Sequence, residues 1–346
     1  MLSASLGYVA PVFAGTAAIL NPDGKLTYLG TLGGTYSVAS GINDSGQVVG
    51  HFLTSDGSVH AFITGPNGVG MRDLGTLGGR LSFANGINDA GQVVGYSDTE
   101  DGFSSHAFIT GPNGVGMRDL GTLGRDYYSN SYATSINNAG QVVGYSYMDG
   151  SSHAFITGPN GVGMRDLGAL RGGTHSTAAG INDSGQVVGY SSTGSDPKHA
   201  FITGPNGVGM RDLGVPGSDS SATGINDTGQ VVGNFYTRDG FPHAFITGPD
   251  GGGMRDLGTL GGTYSESVAA GINDAGQAVG SSGTADGSVH AFITGPNGVG
   301  ITDLNSLVVN LPGRNTIDEA YGINNHGQIL VYPAKSSPNP RPASCC

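Results

Sequence analysis

The sequence predicts an all-β protein assembled from copies of one unit, and three observations carry that prediction. First, the phrase His-Ala-Phe-Ile-Thr-Gly-Pro-Asn-Gly-Val-Gly-Met-Arg-Asp-Leu-Gly begins at His60, His106, His153 and His199, with variants at His243 and His290. The spacings are 46, 47, 46, 44 and 47 residues. Second, the phrase Gly-Ile-Asn-Asp-x-Gly-Gln-Val-Val-Gly alternates with it, its isoleucine falling at Ile42, Ile87, Ile136, Ile181, Ile225, Ile272 and Ile323. Third, both phrases break into short apolar runs separated by turn residues, and no stretch keeps helical spacing.

Each unit reads as four strands. Strand a is a run of small residues ending in Ile-Asn, such as Ala179 to Asn182. A three-residue turn follows, with glycine where a left-handed backbone is needed. Strand b is Gln-Val-Val-Gly-Tyr, as in Gln186 to Tyr190. A variable loop, often with Asp-Gly, leads to strand c, His-Ala-Phe-Ile-Thr. The turn Gly-Pro-Asn-Gly resists helix and leads to strand d, Gly-Met-Arg-Asp-Leu.

Strands b and c are continuous apolar runs, which implies cover on both faces. Strand a carries the small side chains that a crowded axis accepts. Both features predict a β-propeller of four-stranded antiparallel blades. Residues 16–30 resemble strands c and d, with Thr16 in the histidine place, and residues 319–332 carry only a and b. Pairing these partial units would close a ring of seven blades and remove both sheet edges. The expected organisation is an N-terminal extension over 1–15, a propeller over 16–333 and a Pro/Ser-rich tail over 334–346. The extension reads either as a truncated export segment or as an extra strand, Leu6 to Phe13. Cys345 and Cys346, adjacent in the tail, cannot staple the fold.

Composition excludes several classes. The chain of 346 residues has 65 Gly and no Trp, and its formal net charge is −12, which repels a phosphate backbone. No nucleic acid partner and no membrane span are expected. The regular apolar runs exclude disorder.

The two phrases, together with Asp-Leu-Gly-Thr-Leu-Gly-Gly, resemble the bacterial HAF repeat family, named for its His-Ala-Phe tripeptide. The resemblance covers about residues 16–333. It implies an extracellular or cell-surface location and supplies no catalytic residue.

The strand-c histidines lie in different blades and are read as structural, each bonded within its own blade rather than to a metal. The Asn-Asp pairs, such as Asn43-Asp44 and Asn273-Asp274, are read as turn chemistry rather than calcium loops. The strand-d pairs, from Arg72-Asp73 to Arg255-Asp256, are read as edge-strand charges that discourage stray pairing, each arginine being expected to reach a neighbouring blade because adjacent strand residues face opposite ways. No cofactor, metal or catalytic set is expected. Variation collects in the d–a and b–c loops, on one face, which is where recognition is usually built. The d–a loops present Tyr36, Arg80, Tyr127, Tyr128, Arg171, His175 and Tyr264. The b–c loops present Phe103, Tyr147, Met148, Lys198, Arg238 and Phe241. These residues suggest a monomeric, non-catalytic binding or scaffold module for a protein, peptide or glycan. A polysaccharide hydrolase or lyase with a carboxylate pair in the axial funnel (Asp126 and Glu266 the first acids to test) is the alternative. A structural matrix protein is a third reading.

Overall fold

The computed structural model describes residues 17–34, 36–124, 129–194, 198–214, 218–261, 266–309, 311 and 315–335. The chain is all-β, built from repeated four-stranded antiparallel sheets in the manner of propeller blades. Blades 1 to 6 run over Ser37–Gly75, Gly78–Asp119, Ser131–Gly168, Ser176–Asp212, Ser220–Gly258 and Ser267–Asp303. Blades 1 and 2 share one parallel bridge, Val59 with Leu81, and so join as one eight-stranded sheet. A further sheet is composite. Strands Leu26–Tyr28 and Ala18–Leu20 lie beside Ile329–Lys335 and Asn315–Ile323, in that order. Ala18, Ile19 and Leu20 pair with Val331, Leu330 and Ile329. The possible extra strand at Leu6 to Phe13, and the tail cysteines, lie outside the described residues.

The core lies between blades. The strand-c phenylalanine of each blade is fully buried against the blade before it. Phe108 packs with Val49, Ala61 and Ile63 of blade 1, and Phe155 packs with Val94, Ala107 and Ile109 of blade 2. Each such ring burial is worth about 1.5–3 kcal/mol. Opposite the phenylalanine, strand b must carry glycine. A Cβ on Gly50 would sit 1.9 Å from the Val38 carbonyl oxygen. The composite blade solves the same volume differently. There Ala18 takes the phenylalanine place and Val331 the glycine place.

Polar side chains tie one blade to the next. Ser82 Oγ of blade 2 accepts the Ala61 N–H of blade 1 at 2.8 Å and donates to the Gly75 carbonyl. At the a–b turn, Asn43 Oδ1 accepts the Gln47 N–H at 2.9 Å, while its Nδ2 donates to the Asn88 carbonyl of blade 2 at 3.0 Å. The same bond recurs from Asn88, Asn137, Asn182, Asn226 and Asn273.

Two sequence expectations change. The Gly-Pro-Asn-Gly turn does contain a short 3-10 turn, Pro66–Gly68 in blade 1, but Asn67 and Gly68 are left-handed (φ 54 and 72°), so it cannot propagate. The strand-d aspartates are not simple edge charges. Each accepts from the strand-c histidine of its own blade, as His106 Nδ1 with Asp119 at 2.7 Å. The arginines do reach the next blade, as expected: Arg118 donates to the Asn160 carbonyl at 2.6 Å.

Candidate functional site

Strand a carries a bulge in every blade, between Ala39 and Gly41 in blade 1 and between Ala320 and Gly322 in the composite blade. A bulge aims one extra side chain out of the sheet plane. Here that direction is the axis: Asn85, Thr134, Ala179 and Thr223, the bulge residues of four blades, line an axial cavity of about 190 Å³. Asn85 and Thr134 also brace the wall, donating to the Ala133 and Ala178 carbonyls of the next blade at 2.7 and 3.0 Å.

The isoleucines of the repeat close the cavity below. Ile42, Ile87, Ile181, Ile225, Ile272 and Ile323 line both this cavity and a second one of about 170 Å³, which Ile136 lines as well. The second opens on the face of the a–b and c–d turns and is ringed by Asp44, Asp89, Asn138, Asp183, Asp227, Asp274 and Asn325. In that ring each backbone N–H donates to the Oδ1 of the next blade's side chain, as Asp44 to Asp89 at 3.0 Å. Burial, with Asp183, Asp274 and Asp89 nearby, raises the Asp227 carboxyl above its usual range.

Above the isoleucines the blade symmetry is broken by two groups. One is an arc of aromatic rings on strands a and b. Phe83 stacks on its cross-strand partner Tyr96 at 4.8 Å, and Tyr132 on Tyr145 at 5.0 Å. Edge contacts of 4.8 and 4.9 Å, His51 to Phe83 and Tyr96 to Tyr132, link the pairs across blades. Farther round, Lys198 Nζ lies 5.2 Å from the Tyr190 ring centre. The arc is half-buried, so part of each ring remains exposed. Burial, with Tyr132, Tyr147 and Tyr190 close by, pushes the Tyr145 phenol up to about 12.

The other group belongs to the composite blade. Tyr321 stands at the bulge position, where the other blades carry Ser, Asn, Thr or Ala, and it is 38% exposed. Its hydroxyl donates to Glu319 Oε2. Burial first, then Glu319, holds this phenol well above its ordinary value, so it stays a proton donor. Glu319 pairs in register with Tyr332, the same place that Phe83 and Tyr96 hold in blade 2.

The loop residues expected to bind a ligand are not gathered into one site. Arg80, Phe103, Arg171, His175 and Arg238 are exposed along the rim, and Phe241 is half-buried. Tyr147 joins the arc, 6.1 Å from Tyr145 and 6.3 Å from Tyr132. Tyr36 lies close enough to Tyr332 to raise its phenol, after burial. Tyr127, Tyr128, Tyr264 and Asp126 lie outside the described residues, and Glu266 is exposed. Loop reasoning missed the strand positions. The signal was the residue after the strand-b Val-Gly, which reads His51, Tyr96, Tyr145, Tyr190, Asn234 and Ser281 from blade to blade, with Tyr332 at the same register.

No family model and no curated protein matches the sequence. Solved structures of similar fold do. A puromycin-hydrolyzing peptidase from Mycobacterium tuberculosis is 12% identical with a TM-score of 0.54, covering 83% of this chain and 48% of its own. The propeller domain of the trilobed protease from Pyrococcus furiosus, with an open velcro topology, is 10% identical at 0.52, covering 90% and 99%. An oligogalacturonate lyase in complex with manganese is 11% identical at 0.50, covering 85% and 87%. The chain spans about half the length of the puromycin hydrolases it matches. These likenesses establish the propeller fold. They also overturn the expectation of a non-catalytic binding or scaffold module, since the neighbours are mainly hydrolytic enzymes with a lyase among them. The sequence argument behind that expectation passed over Glu319 and Tyr321, two unrepeated groups joined by a hydrogen bond. Among the described residues no group of three or more His, Cys, Asp or Glu side chains is placed to hold a metal ion, and no helix is long and apolar enough to cross a membrane.

Proposed function

We propose that the chain is a polysaccharide lyase that works in the axial funnel of a closed, seven-bladed propeller. The single observation that carries this reading is the hydrogen bond from Tyr321 to Glu319, two unrepeated groups at the strand-a bulge of the composite blade. Hydrolysis by paired carboxyls needs two groups flanking the sugar, roughly 5–5.5 or 6.5–9.5 Å apart. Two groups that hydrogen-bond each other attend one side of a substrate, which suits elimination across a single face.

The step balances with these residues alone. Glu319 takes the proton from the carbon beside a uronate carboxyl, and the released electron pair forms the carbon–carbon double bond. The adjacent carbon–oxygen bond breaks, and Tyr321 gives its hydroxyl proton to the departing oxygen. The proton on Glu319 then returns across the hydrogen bond to Tyr321. The arc from His51 to Tyr145 supplies stacking area for sugar rings, and Lys198 sets a positive charge on that wall. Seven blades and closure are supported by the pairing of Ala18–Leu20 with Ile329–Val331. An extracellular location, implied by the HAF resemblance, fits a polymeric substrate.

The test is incubation with uronate-containing polysaccharides, following the ultraviolet absorbance of the new double bond. Tyr321→Phe is expected to lower kcat by about 10²–10⁴-fold, the usual weight of general acid–base catalysis, with KM little changed. Saturated products, or a Tyr321→Phe variant as active as the parent, would sink the reading.

A further inference from the structure

On the face of the a–b and c–d turns, the glutamine that opens strand b ties each blade to the next. Its Nε2 donates to the side-chain oxygen at the centre of the next c–d turn. Gln47 reaches Asn113 and Gln92 reaches Asn160 at 3.4 Å, Gln186 reaches Asp250 at 3.3 Å, and Gln141 and Gln230 reach Asn206 and Asn297 at 3.2 Å. Gln328 of the composite blade does the same to Asn67 at 3.3 Å and to Asn21 at 3.1 Å. All six of these side chains are buried.

Gln277 of blade 6 is the exception. Its Oε1 accepts from Asn273 Nδ2 at 3.0 Å, as in the other blades, but among the described residues its Nε2 meets no acceptor, and the side chain is only half-buried. The cause is the composite turn, Asn21–Gly24. Asp23 holds the place that Asn67 holds in blade 1, and Lys25 occupies its carboxylate, through Nζ at 2.8 Å and through its N–H at 3.1 Å. The turn also stands off from its own a–b turn. A Cβ on Gly46, Gly91, Gly140, Gly185, Gly229 or Gly276 would meet the central residue of the c–d turn at 2.8–3.0 Å, whereas on Gly327 the nearest atom belongs to Pro22, at 3.6 Å. The Leu307 carbonyl and Val309 close the turn at Gly24. What stays open is a cleft of about 450 Å³, lined by Leu20, Leu304 and Ile329 from the core, by Ile293, and by Gln277 and His326. Ile293 is half-buried there, whereas Ile63, Ile109, Ile156, Ile202 and Ile246 are at most 3% exposed. The volume falls within the ~300–1,000 Å³ of ligand pockets.

We propose that this cleft binds a small uncharged ligand that carries a carbonyl oxygen on a short apolar chain. The oxygen would accept from Gln277 Nε2, as the amide oxygens of Asn113, Asn160, Asn206 and Asn297 accept from the equivalent glutamines. The chain would cover Ile293 and Leu304. An amide N–H without an acceptor selects for an acceptor, so an ammonium, which only donates, is not matched there. A carboxylate does accept, but it would enter a cleft that Asp23 also lines, on a chain of net charge −12. The site shares no residue with the funnel and is independent of the proposed lyase activity.

The experiment titrates N,N-dimethylhexanamide, hexanoate and hexylammonium into the full chain, reading heat and the NMR shifts of the Ile293 methyl and the Gln277 side-chain amide. The uncharged amide is expected to bind about tenfold more tightly than either charged probe, a difference within the reach of one hydrogen bond, and to move both signals. Gln277→Glu keeps the oxygen that Asn273 bonds and removes the donor. The probe has no N–H of its own, so its binding to this variant is expected to weaken about tenfold. A Gln277→Glu variant that binds the amide as the parent does, or hexanoate or hexylammonium binding as tightly as the amide, overturns the proposal. So does an Ile293 methyl that stays fixed while the amide binds, or no binding up to millimolar probe, and these two results need no variant.

Discussion

Asn324 Nδ2 donates to the Asn43 carbonyl at 3.0 Å, across 281 residues of chain. The bond is the same one that links Asn43 to Asn88 and each later blade to its neighbour. Beside it, Asn325 N–H donates to Asp44 Oδ1 at 2.8 Å, again as in every other junction. The last a–b turn therefore meets the first by the contacts that join sequential blades.

Equivalence of bonds predicts equivalence of cost. Asn324→Ala and Asn182→Ala each remove a buried donor–acceptor set that serves a turn and a neighbouring blade, and each should lose about 1–3 kcal/mol. Urea unfolding of the two variants is expected to give matched losses. A loss at Asn182 with none at Asn324 would mean that the last blade does not lean on the first in solution.

A covalent latch tests the same seam from the other side. Ala18 and Val331 are cross-strand partners and both are fully buried. Cysteines at these two places, with Cys345 and Cys346 changed to serine, should oxidise and stabilise the chain by about 2–4 kcal/mol, because the bridge closes a loop of nearly the whole sequence. Failure to oxidise under conditions that leave the fold intact would remove the pairing.

Much of this fold could be read in the residues, and the reasons are specific. Glycine at Gly50 and its counterparts, phenylalanine at Phe62 and its counterparts, and left-handed turn glycines such as Gly46 each have one workable place in a blade, so repetition exposed them. The direction of the arginines followed from strand alternation alone. The functional site was harder. Tyr321 stands at a strand-a bulge where the other blades hold the small or short polar residues Ser40, Asn85, Thr134, Ala179, Thr223 and Ala270, and Glu319 at a register that elsewhere holds residues as different as Val38 and Phe83. A bulge adds one residue to a strand without changing its composition, so pattern reading assigns no direction there. The aromatic arc was hidden for a related reason. Its members sit inside strands a and b, where a ring reads as core, yet each is only half-buried.

The pair His106 and Asp119 gives stability a pH window. The hydrogen bond to Asp119 raises the His106 imidazole above its ordinary value, with burial opposing it. Burial raises the Asp119 carboxyl, but the bonds from His106 and the Gly121 N–H outweigh it and leave the carboxyl lowered. A raised histidine contributes fully below about pH 6.5 and loses its contribution as pH rises through the folded value. A lowered aspartate contributes above about pH 4 and loses its contribution as pH falls through the folded value. The pair should therefore stabilise most between about pH 4 and 6.5. Asp119 is 43% exposed, so the gain is under ~1 kcal/mol. Asp119→Asn should flatten the fall in stability between about pH 6 and 8, measured by urea unfolding at fixed salt.

The phenol of Tyr321 offers a readout of the funnel pair that needs no substrate. Two causes raise it, burial and then the Glu319 carboxylate. Glu319→Gln keeps the size and removes the charge, so the phenol should ionise at lower pH than in the parent while staying above a free tyrosine, because burial remains. Difference titration of phenolate absorbance, with Tyr321→Phe to identify the signal, measures the shift. A titration unchanged by Glu319→Gln would mean that the carboxylate does not hold the hydroxyl in solution. In that case the proton could not return from Glu319 to Tyr321, and one-sided elimination would lose its resetting step.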